Sequence, residues 1–321
     1  RAPQDGRISL SLSGRQVDFR VSTLPTVHGE DIVLRVLDGQ KGIVTLEQLG
    51  LNEEASNTLK VMVARPQGII LVTGPTGSGK TTTLYSVLNY LNTESVNIMT
   101  LEDPVEYPTT MIRQSSVQES GRLDFANGIR SIMRQDPDII LVGEIRDEDT
   151  ANMAFRAAMT GHQVFSTLHT NSAVGAVPRL LDIGIKPDIL SGNIIGILAQ
   201  RLVRKLCDSC KEPYVITDIE RNLLGLRAAD KDKEIFNGKG CKKCDGTGYK
   251  GRIALLELLR LDDDIDELIA RGGTQGEILR MAVSKGFKTL ADVGSDRVLD
   301  GTTSIDEITR VVDLTKRIVQ K

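Results

Sequence analysis

The stretch "GPTGSGKTTT", residues 74–83, sets three glycines ahead of a lysine and three threonines. Glycines at 74, 77 and 79 let the backbone curl until successive N–H groups converge on one anion. The stretch follows the apolar "GIILVT" and precedes the helical pattern "KTTTLYSVLNYL", so it opens a helix whose dipole adds to the attraction. In that context Lys80 is expected to reach the β and γ phosphates of a nucleoside triphosphate, and the Thr81 hydroxyl to ligate Mg²⁺. Gly74, Pro75, Thr76, Gly77, Ser78, Gly79, Lys80, Thr81 and Thr82 are the candidate nucleotide contacts. A Gly-rich turn without a ligand is the alternative.

Such a loop needs a carboxylate at the end of a neighbouring strand. In "DPDIILVGEIRD" the apolar run 139–142 ends at Gly143 and Glu144, and a carboxylate there can hold Mg²⁺ through water or polarise an attacking water. A capping or salt-bridged glutamate is the competing reading. "LEDPVEY" supplies Glu102, Asp103 and Glu106 after another apolar strand. Pro104 is expected to end that strand and leave the three carboxylates on a loop in the same crevice, where a base could orient water. "TGHQVFSTLHTN" puts His162 in the turn before a strand and His169 at its end, on the side of an α/β sheet where ligands bind. A γ-phosphate sensing role is expected for His169. His162 stays open between a site role and a structural one, and His28 reads as an exposed loop residue.

A second chemistry sits further along. All four cysteines fall in "CDSC" and "CKKC", at 207, 210, 241 and 244. Two C-x-x-C pairs offer two knuckles of two sulfurs each, which suits tetrahedral Zn²⁺. The glycines of "CKKCDGTGYKG" allow a tight turn that aims N–H groups at the sulfurs. The intervening stretch is longer than in a typical zinc ribbon, so an elaborated metal hairpin is expected; disulfides are the alternative, disfavoured in a cytosolic setting.

These residues need elements to hold them. The 321 residues suggest two or three units with at least one substantial core. Residues 1–39 carry three alternating strands, "RISLSLSG", "RQVDFRVS" and "EDIVLRVL", with "TLPTVHG" joining the last two. They hold too few large apolar residues for a core of their own, so this region reads as the remnant of a larger β-rich sheet, with partner strands expected upstream of Arg1. Residues 40–67 read as linker and helix. From 68 to 205, near-continuous apolar runs alternate with helical patterns, the signature of a parallel sheet covered on both faces. The cysteine element takes 206–250, and 251–321 is expected to be helical. A net charge of −3, 3% aromatic residues and no Trp give no pull toward nucleic acid. No apolar run is long enough to span a bilayer and no leader pattern precedes the first strands, so the chain reads as cytoplasmic. Its start at Arg1 suggests a processed or truncated chain.

Four of these motifs stand in an order that resembles the secretion ATPases of type II secretion and type IV pilus assembly. They are "GPTGSGKTTT", "LEDPVEY", "IILVGEIRD" and "TGHQVFSTLHTN"; "QDGRISL", "VDFRVSTLPT" and "AQRLVRKLC" match as well. The resemblance covers nearly the whole chain. It implies a RecA-like P-loop ATPase domain, a truncated PAS-like N-terminal segment, a zinc element and a C-terminal helical part. It also implies a homo-hexameric motor that binds ATP, Mg²⁺ and Zn²⁺ and works at the inner membrane through a platform protein and a docking protein. Glu144 would handle Mg²⁺ and its waters, and the general base would come from Glu106, with Glu102 as alternate. Assembly and secretion ATPases carry the tetracysteine element, whereas retraction ATPases generally lack it. Only the last strands of the family's N-terminal domain are expected here.

The resemblance further implies that two arginines of the terminal strands reach the nucleotide when the domains close. In "VDFRVS" the residues Val17, Phe19 and Val21 share one strand face, placing Arg20 on the other beside Asp18, and Arg35 alternates likewise with Leu34 and Val36. A guanidinium can grip phosphate oxygens with two hydrogen bonds. Solvated arginines bonded to Asp18, Glu30 or Asp31 are the alternative. A DNA motor and a non-enzymatic zinc-dependent binding module remain the competing functions.

Overall fold

The structure is a computed structural model that describes residues 2–12, 15–37, 44–117 and 123–315. It opens with three strands, β1 (Gln4–Leu12), β2 (Arg15–Thr26) and β3 (Gly29–Leu37), in an antiparallel sheet of order β1-β2-β3. Cross-strand pairing sets Ile8 opposite Phe19, Phe19 opposite Val36 and Val21 opposite Leu34, which collects the apolar residues on one face. Ile8, Leu10, Leu34 and Val36 nonetheless remain exposed. The expected "TLPTVHG" connection is mostly strand, and only Val27 and His28 form the turn. Pro25 does not break β2, because pairing with β1 already ends at Gln4 opposite Thr23 and its missing N–H deprives no partner.

The remainder, in chain order, is α1 (Glu53–Val63), β4 (Gly68–Thr73), α2 (Lys80–Leu91), β5 (Ile98–Glu102), β6 (Ile112–Ser116), α3 (Phe125–Ile132), β7 (Ile139–Val142), α4 (Glu148–Met159), β8 (Gln163–Leu168), α5 (Ala176–Ile183), α6 (Pro187–Leu190), β9 (Ile194–Leu206), β10 (Lys211–Val215), α7 (Asp218–Leu223), β11 (Glu234–Gly238), β12 (Tyr249–Arg260), α8 (Asp263–Ala270), α9 (Gln275–Ser284), α10 (Leu290–Leu299) and α11 (Ile305–Thr309). Seven strands build the central sheet in the order β12-β9-β4-β8-β7-β5-β6. Neighbours from β9 to β6 run parallel, while β12 returns antiparallel along β9.

The inner parallel strands β4 and β7 are apolar on both faces because both are covered. Ile69, Leu71, Ile140, Val142 and Val164 pack with the alanines of α4, Ala151, Ala154, Ala157 and Ala158, whose small side chains let helix and sheet approach closely. On the other face Ile70, Val72, Leu141 and Phe165 pack with Leu84, Val87 and Leu88 of α2 and Leu59 and Met62 of α1. Fully burying each such side chain contributes on the order of 2 kcal/mol. The helix starts are cued locally: Asn52, Asp124 and Asp147 accept backbone N–H groups at the first turns of α1, α3 and α4.

The expected helical region 251–321 begins instead inside a strand. "GRIALLELLR" is a short apolar run that sequence periodicity cannot assign, and pairing of Ile253–Arg260 with β9 decides it. Glu102 also differs from expectation, for it is the last residue of β5 rather than part of a loop. Pairing of Glu102 with Ser116 of β6 carries the strand that far before Pro104 ends it. No helix among the described residues is long and apolar enough to cross a membrane.

Candidate functional site

The loop between β4 and α2 has the backbone its glycines allow. Gly74 and Gly79 lie at φ 150° and 92°, and both lie against Gln200 of β9. A Cβ at Gly74 would sit 2.6 Å from the Gln200 carbonyl oxygen, and one at Gly79 would sit 2.7 Å from the Gln200 Nε2. The same Nε2 donates to the Ser78 carbonyl at 2.7 Å, and Gln200 Oε1 accepts the Thr83 hydroxyl at 2.7 Å. Gln200 thus clamps both limbs of the loop from the neighbouring strand. Lys80 Nζ donates to the Gly74 carbonyl at 2.8 Å and the Pro75 carbonyl at 3.3 Å, folded back along the loop. Burial pushes its pKa down, Glu144 opposes that shift and Arg201 adds to it. Ser78 Oγ is buried with no hydrogen-bond partner among the described residues, an open polar atom of the kind an anion site leaves for its ligand.

Glu144 follows β7, two strands from β4 in the sheet, with its side chain 15% exposed. It lies between Arg146, with which it forms a close ion pair, and His169, whose Nε2 is 3.7 Å from its Oε2. The turn is held from β8, because Thr167 Oγ1 donates to the Gly143 carbonyl at 2.8 Å and Ile145 N–H to the Thr167 carbonyl at 3.0 Å. Burial, then the charge of Lys80, lowers the His169 pKa against the opposing pull of Glu144. Lys80, Glu144, Arg146 and His169 therefore form one electrostatic group at the carboxyl ends of β4, β7 and β8.

The other expected residues are divided. Glu102 is 5% exposed and turned into the molecule, where it accepts the Tyr85 hydroxyl at 2.7 Å and the Thr100 hydroxyl at 2.6 Å. Burial, then the hydrogen bond to Glu102, raises the Tyr85 phenol far above its ordinary pKa. Asp103 and Glu106 stay exposed on the following loop, so the three carboxylates do not share one crevice. His162 is structural in its contacts: Nδ1 lies 2.9 Å from the Ala157 carbonyl and closes the turn after α4. His28 occupies the exposed β2–β3 turn as expected. Arg20 and Arg35 are direct cross-strand partners on the N-terminal sheet, both exposed.

Three residues with clear geometric roles went unread in the sequence: Gln200 and Arg201 on β9, and Glu257 on β12. All three are buried, at 2%, 7% and 2% exposure. The available signal was a Gln–Arg pair inside an apolar strand pattern, since a buried polar side chain must find partners.

The cysteines converge as their spacing suggests. All four are free thiols with sulfurs within 4.8 Å of one another. The separations Cys207–Cys241, Cys210–Cys244 and Cys241–Cys244 are 3.9, 3.8 and 3.7 Å. Four thiolates about 2.3 Å from a tetrahedral Zn²⁺ stand about 3.8 Å apart, whereas a disulfide needs about 2.05 Å. Burial would raise the Cys244 thiol, but the N–H groups of Cys241 and Gly248, at 3.1 and 3.3 Å from its sulfur, outweigh it and bring it down to about 6. Burial pushes Cys210 up to about 12. Pairing of β10 with β11 joins the knuckles, and the stretch between them forms that hairpin with α7.

The family model for "Type II/IV secretion system protein" matches residues 1–310. This chain belongs to that family. It is 49% identical over 311 residues to Type II secretion system protein E of Pseudomonas aeruginosa, covering 97% of this chain and 62% of the relative. Type II secretion system ATPase E of Vibrio cholerae is 48% identical over 315 residues, with 97% and 61% covered. The type IV pilus assembly ATPase TfpB of Acinetobacter baylyi is 44% identical over 320 residues, with 98% and 54% covered. The chain thus spans less than two thirds of the length of these family members. Among solved structures, the pilus retraction motor PilT with bound ADP superposes with a TM-score of 0.71 at 28% identity, covering 98% of this chain and 79% of that one. The Legionella pneumophila ATPase DotB, at 22% identity and TM-score 0.69, shares the fold, covering 96% of this chain and 77% of that one.

Proposed function

We propose that this chain is the ATP-hydrolysing part of a hexameric motor that drives type II secretion or type IV pilus assembly from the cytoplasmic side of the inner membrane. The observation that carries the reading is the grouping of Lys80, Glu144 and His169 at the strand ends beside a loop clamped by Gln200. The loop N–H groups and Lys80 Nζ bind the β and γ phosphates, which requires Lys80 to leave the Gly74 and Pro75 carbonyls. A cavity of about 430 Å³ beside the start of α2, between Gly79, Thr82, Tyr107 and Arg252, has room for base and ribose.

Thr81 and Glu144 would be the residues to hold Mg²⁺, which would supply charge neutralisation to the phosphates. Glu144 would give up the Arg146 ion pair to take that role. The His169 ring N–H, in the tautomer that carries it toward the site, donates to a terminal phosphate oxygen, which makes it a sensor of that phosphate's presence. Glu106, on the exposed loop, is the better candidate for the base, because both oxygens of Glu102 are already spent on Tyr85. Arg20 and Arg35 reach the nucleotide only when the N-terminal sheet closes on it.

Cys207, Cys210, Cys241 and Cys244 hold one structural Zn²⁺, on the fit of their sulfur separations. The motor's partners are a platform protein and a docking protein of the secretion or pilus machine. Phosphate release from ATP, measured on the whole protein with and without acidic-residue substitutions at 144, tests the reading. No turnover above background in the unsubstituted oligomer would overturn it.

A further inference from the structure

Adjacent residues of a strand point to opposite faces, and on β9 that geometry gives Gln200 and Arg201 different tasks. Gln200 holds the phosphate loop through Ser78 and Thr83. Arg201 donates from Nη2 to the Asn171 carbonyl at 3.1 Å and side-chain oxygen at 3.2 Å, and from Nε to the Val311 carbonyl at 3.2 Å beyond α11. Nearby on β12, Glu257 accepts the Ala173 N–H at 2.5 Å and the Leu290 N–H at 2.7 Å. No ion pair joins the two charges directly among the described residues. Both are taken out of water and each bonds the stretch just after His169 and the C-terminal region, while Arg201 Nη1 also donates to the Gln200 carbonyl at 3.0 Å. Two buried charges are a costly way to fasten a loop, since apolar packing would serve stability as well.

The stretch after His169 has a third anchor. Thr170 N–H donates to Thr73 Oγ1 at 2.8 Å, and Thr73 immediately precedes Gly74 of the phosphate loop. Residues 74–83 are thus hydrogen-bonded or chain-linked to Thr170 through Thr73 and to β9 through Gln200.

We propose that Arg201 and Glu257 are positioning residues that hold the segment after His169 against the phosphate loop and couple anion binding there to the first turn of α10. The inference rests on the nucleotide reading above. An anion that draws Lys80 off the Gly74 and Pro75 carbonyls shifts the segment that Thr73 and Gln200 hold. Ala173 and Leu290 share the two oxygens of one carboxylate, so the shift at one is felt at the other.

The test is hydrogen exchange on the whole protein with and without a non-hydrolysable ATP analogue and Mg²⁺, read at Leu290–Asp292, together with ATPase kinetics. The unsubstituted protein should change its exchange there on binding. In Arg201→Lys, which keeps the charge and loses the fork, that change should vanish while the analogue still binds. Its kcat should fall about ten- to a hundredfold with KM nearly constant. Asn171 is exposed, so Asn171→Ala is a folding-safe second variant, expected to lose roughly threefold in kcat with a weakened response at α10. A full exchange response at α10 in a folded variant that binds the analogue overturns the proposal. So does analogue binding by the unsubstituted protein with no response there, whereas failure to bind at all overturns the nucleotide reading beneath it.

Discussion

The phosphate site and the cysteine site reach their geometry by opposite routes. The cysteine site is two short knuckles brought together by one hairpin, and its four thiols are the whole cysteine content of the chain. The phosphate site has a local half, residues 74–81. Its other half comes from the ends of β7 and β8 and the middle of β9, with Gln200 more than a hundred residues from the loop it clamps. The difference predicts different fragilities. A knuckle should fail alone when its metal is removed, and the phosphate site should fail in function before it fails in folding.

The largest expected effect is at Lys80. Lys80→Ala should cost about a thousandfold or more in turnover and weaken nucleotide binding, because Lys80 is the single cationic residue of the stretch 74–83. Phosphate release and equilibrium binding check this, and near-parent turnover would remove the phosphate role. Glu144→Gln should lower turnover by about 10²- to 10⁴-fold and leave nucleotide affinity within a few-fold. Equal losses in binding and turnover would make Glu144 a structural partner of Arg146 instead.

The opposite behaviour is expected at the cysteines. Protein purified without chelators should carry about one zinc per chain, and Cys244→Ala should lose it. Proteolysis should then attack residues 206–250 while the central sheet keeps its melting temperature. Simultaneous collapse of both would show that the two regions are one cooperative unit.

Between the two regions lies a third polar cluster that could transmit such a collapse. Glu307 of α11 is buried and accepts Arg204 Nη2 at 2.7 Å and Arg310 Nη2 at 2.6 Å, while Arg204 lies over the Tyr249 ring at 4.1 Å. Burial would raise the Glu307 carboxyl, but the guanidinium hydrogen bonds outweigh it and pull it down to about 2. A carboxyl lowered on folding stabilises above its unfolded pKa and loses that contribution as pH falls toward its folded one. Stability from this cluster, on the order of 3 kcal/mol, should therefore be complete above about pH 5 and fade toward pH 2. Thermal melts of parent and Glu307→Gln across that range should converge at the acid end; parallel curves would count against the cluster.

The smallest expected change in stability is at the N-terminal sheet. Arg20→Ala and Arg35→Ala should each move stability by no more than about 0.5 kcal/mol, since both side chains are exposed. Each should still lower turnover in the assembled protein. Unchanged turnover in both would leave them as surface arginines.

The sequence by itself carried the features that depend on near neighbours in the chain. The glycines of 74–79 announced a curled loop because only glycine tolerates its backbone and the close approach of Gln200. The apolar runs 69–72 and 139–142 announced buried parallel strands, since no half-exposed strand is apolar at every position. The paired C-x-x-C spacing announced a site that the folded sulfurs fit. Tertiary structure alone decided the rest. Whether "GRIALLELLR" became strand or helix hung on β9 as a partner, and whether Glu102 faced solvent or Tyr85 hung on β6 and α2. The placement of Gln200, Arg201 and Glu257 at the phosphate loop and the stretch after His169 follows from strand order, which local sequence does not encode. Buried polar residues declare that they need partners, but only the packed sheet supplies which ones.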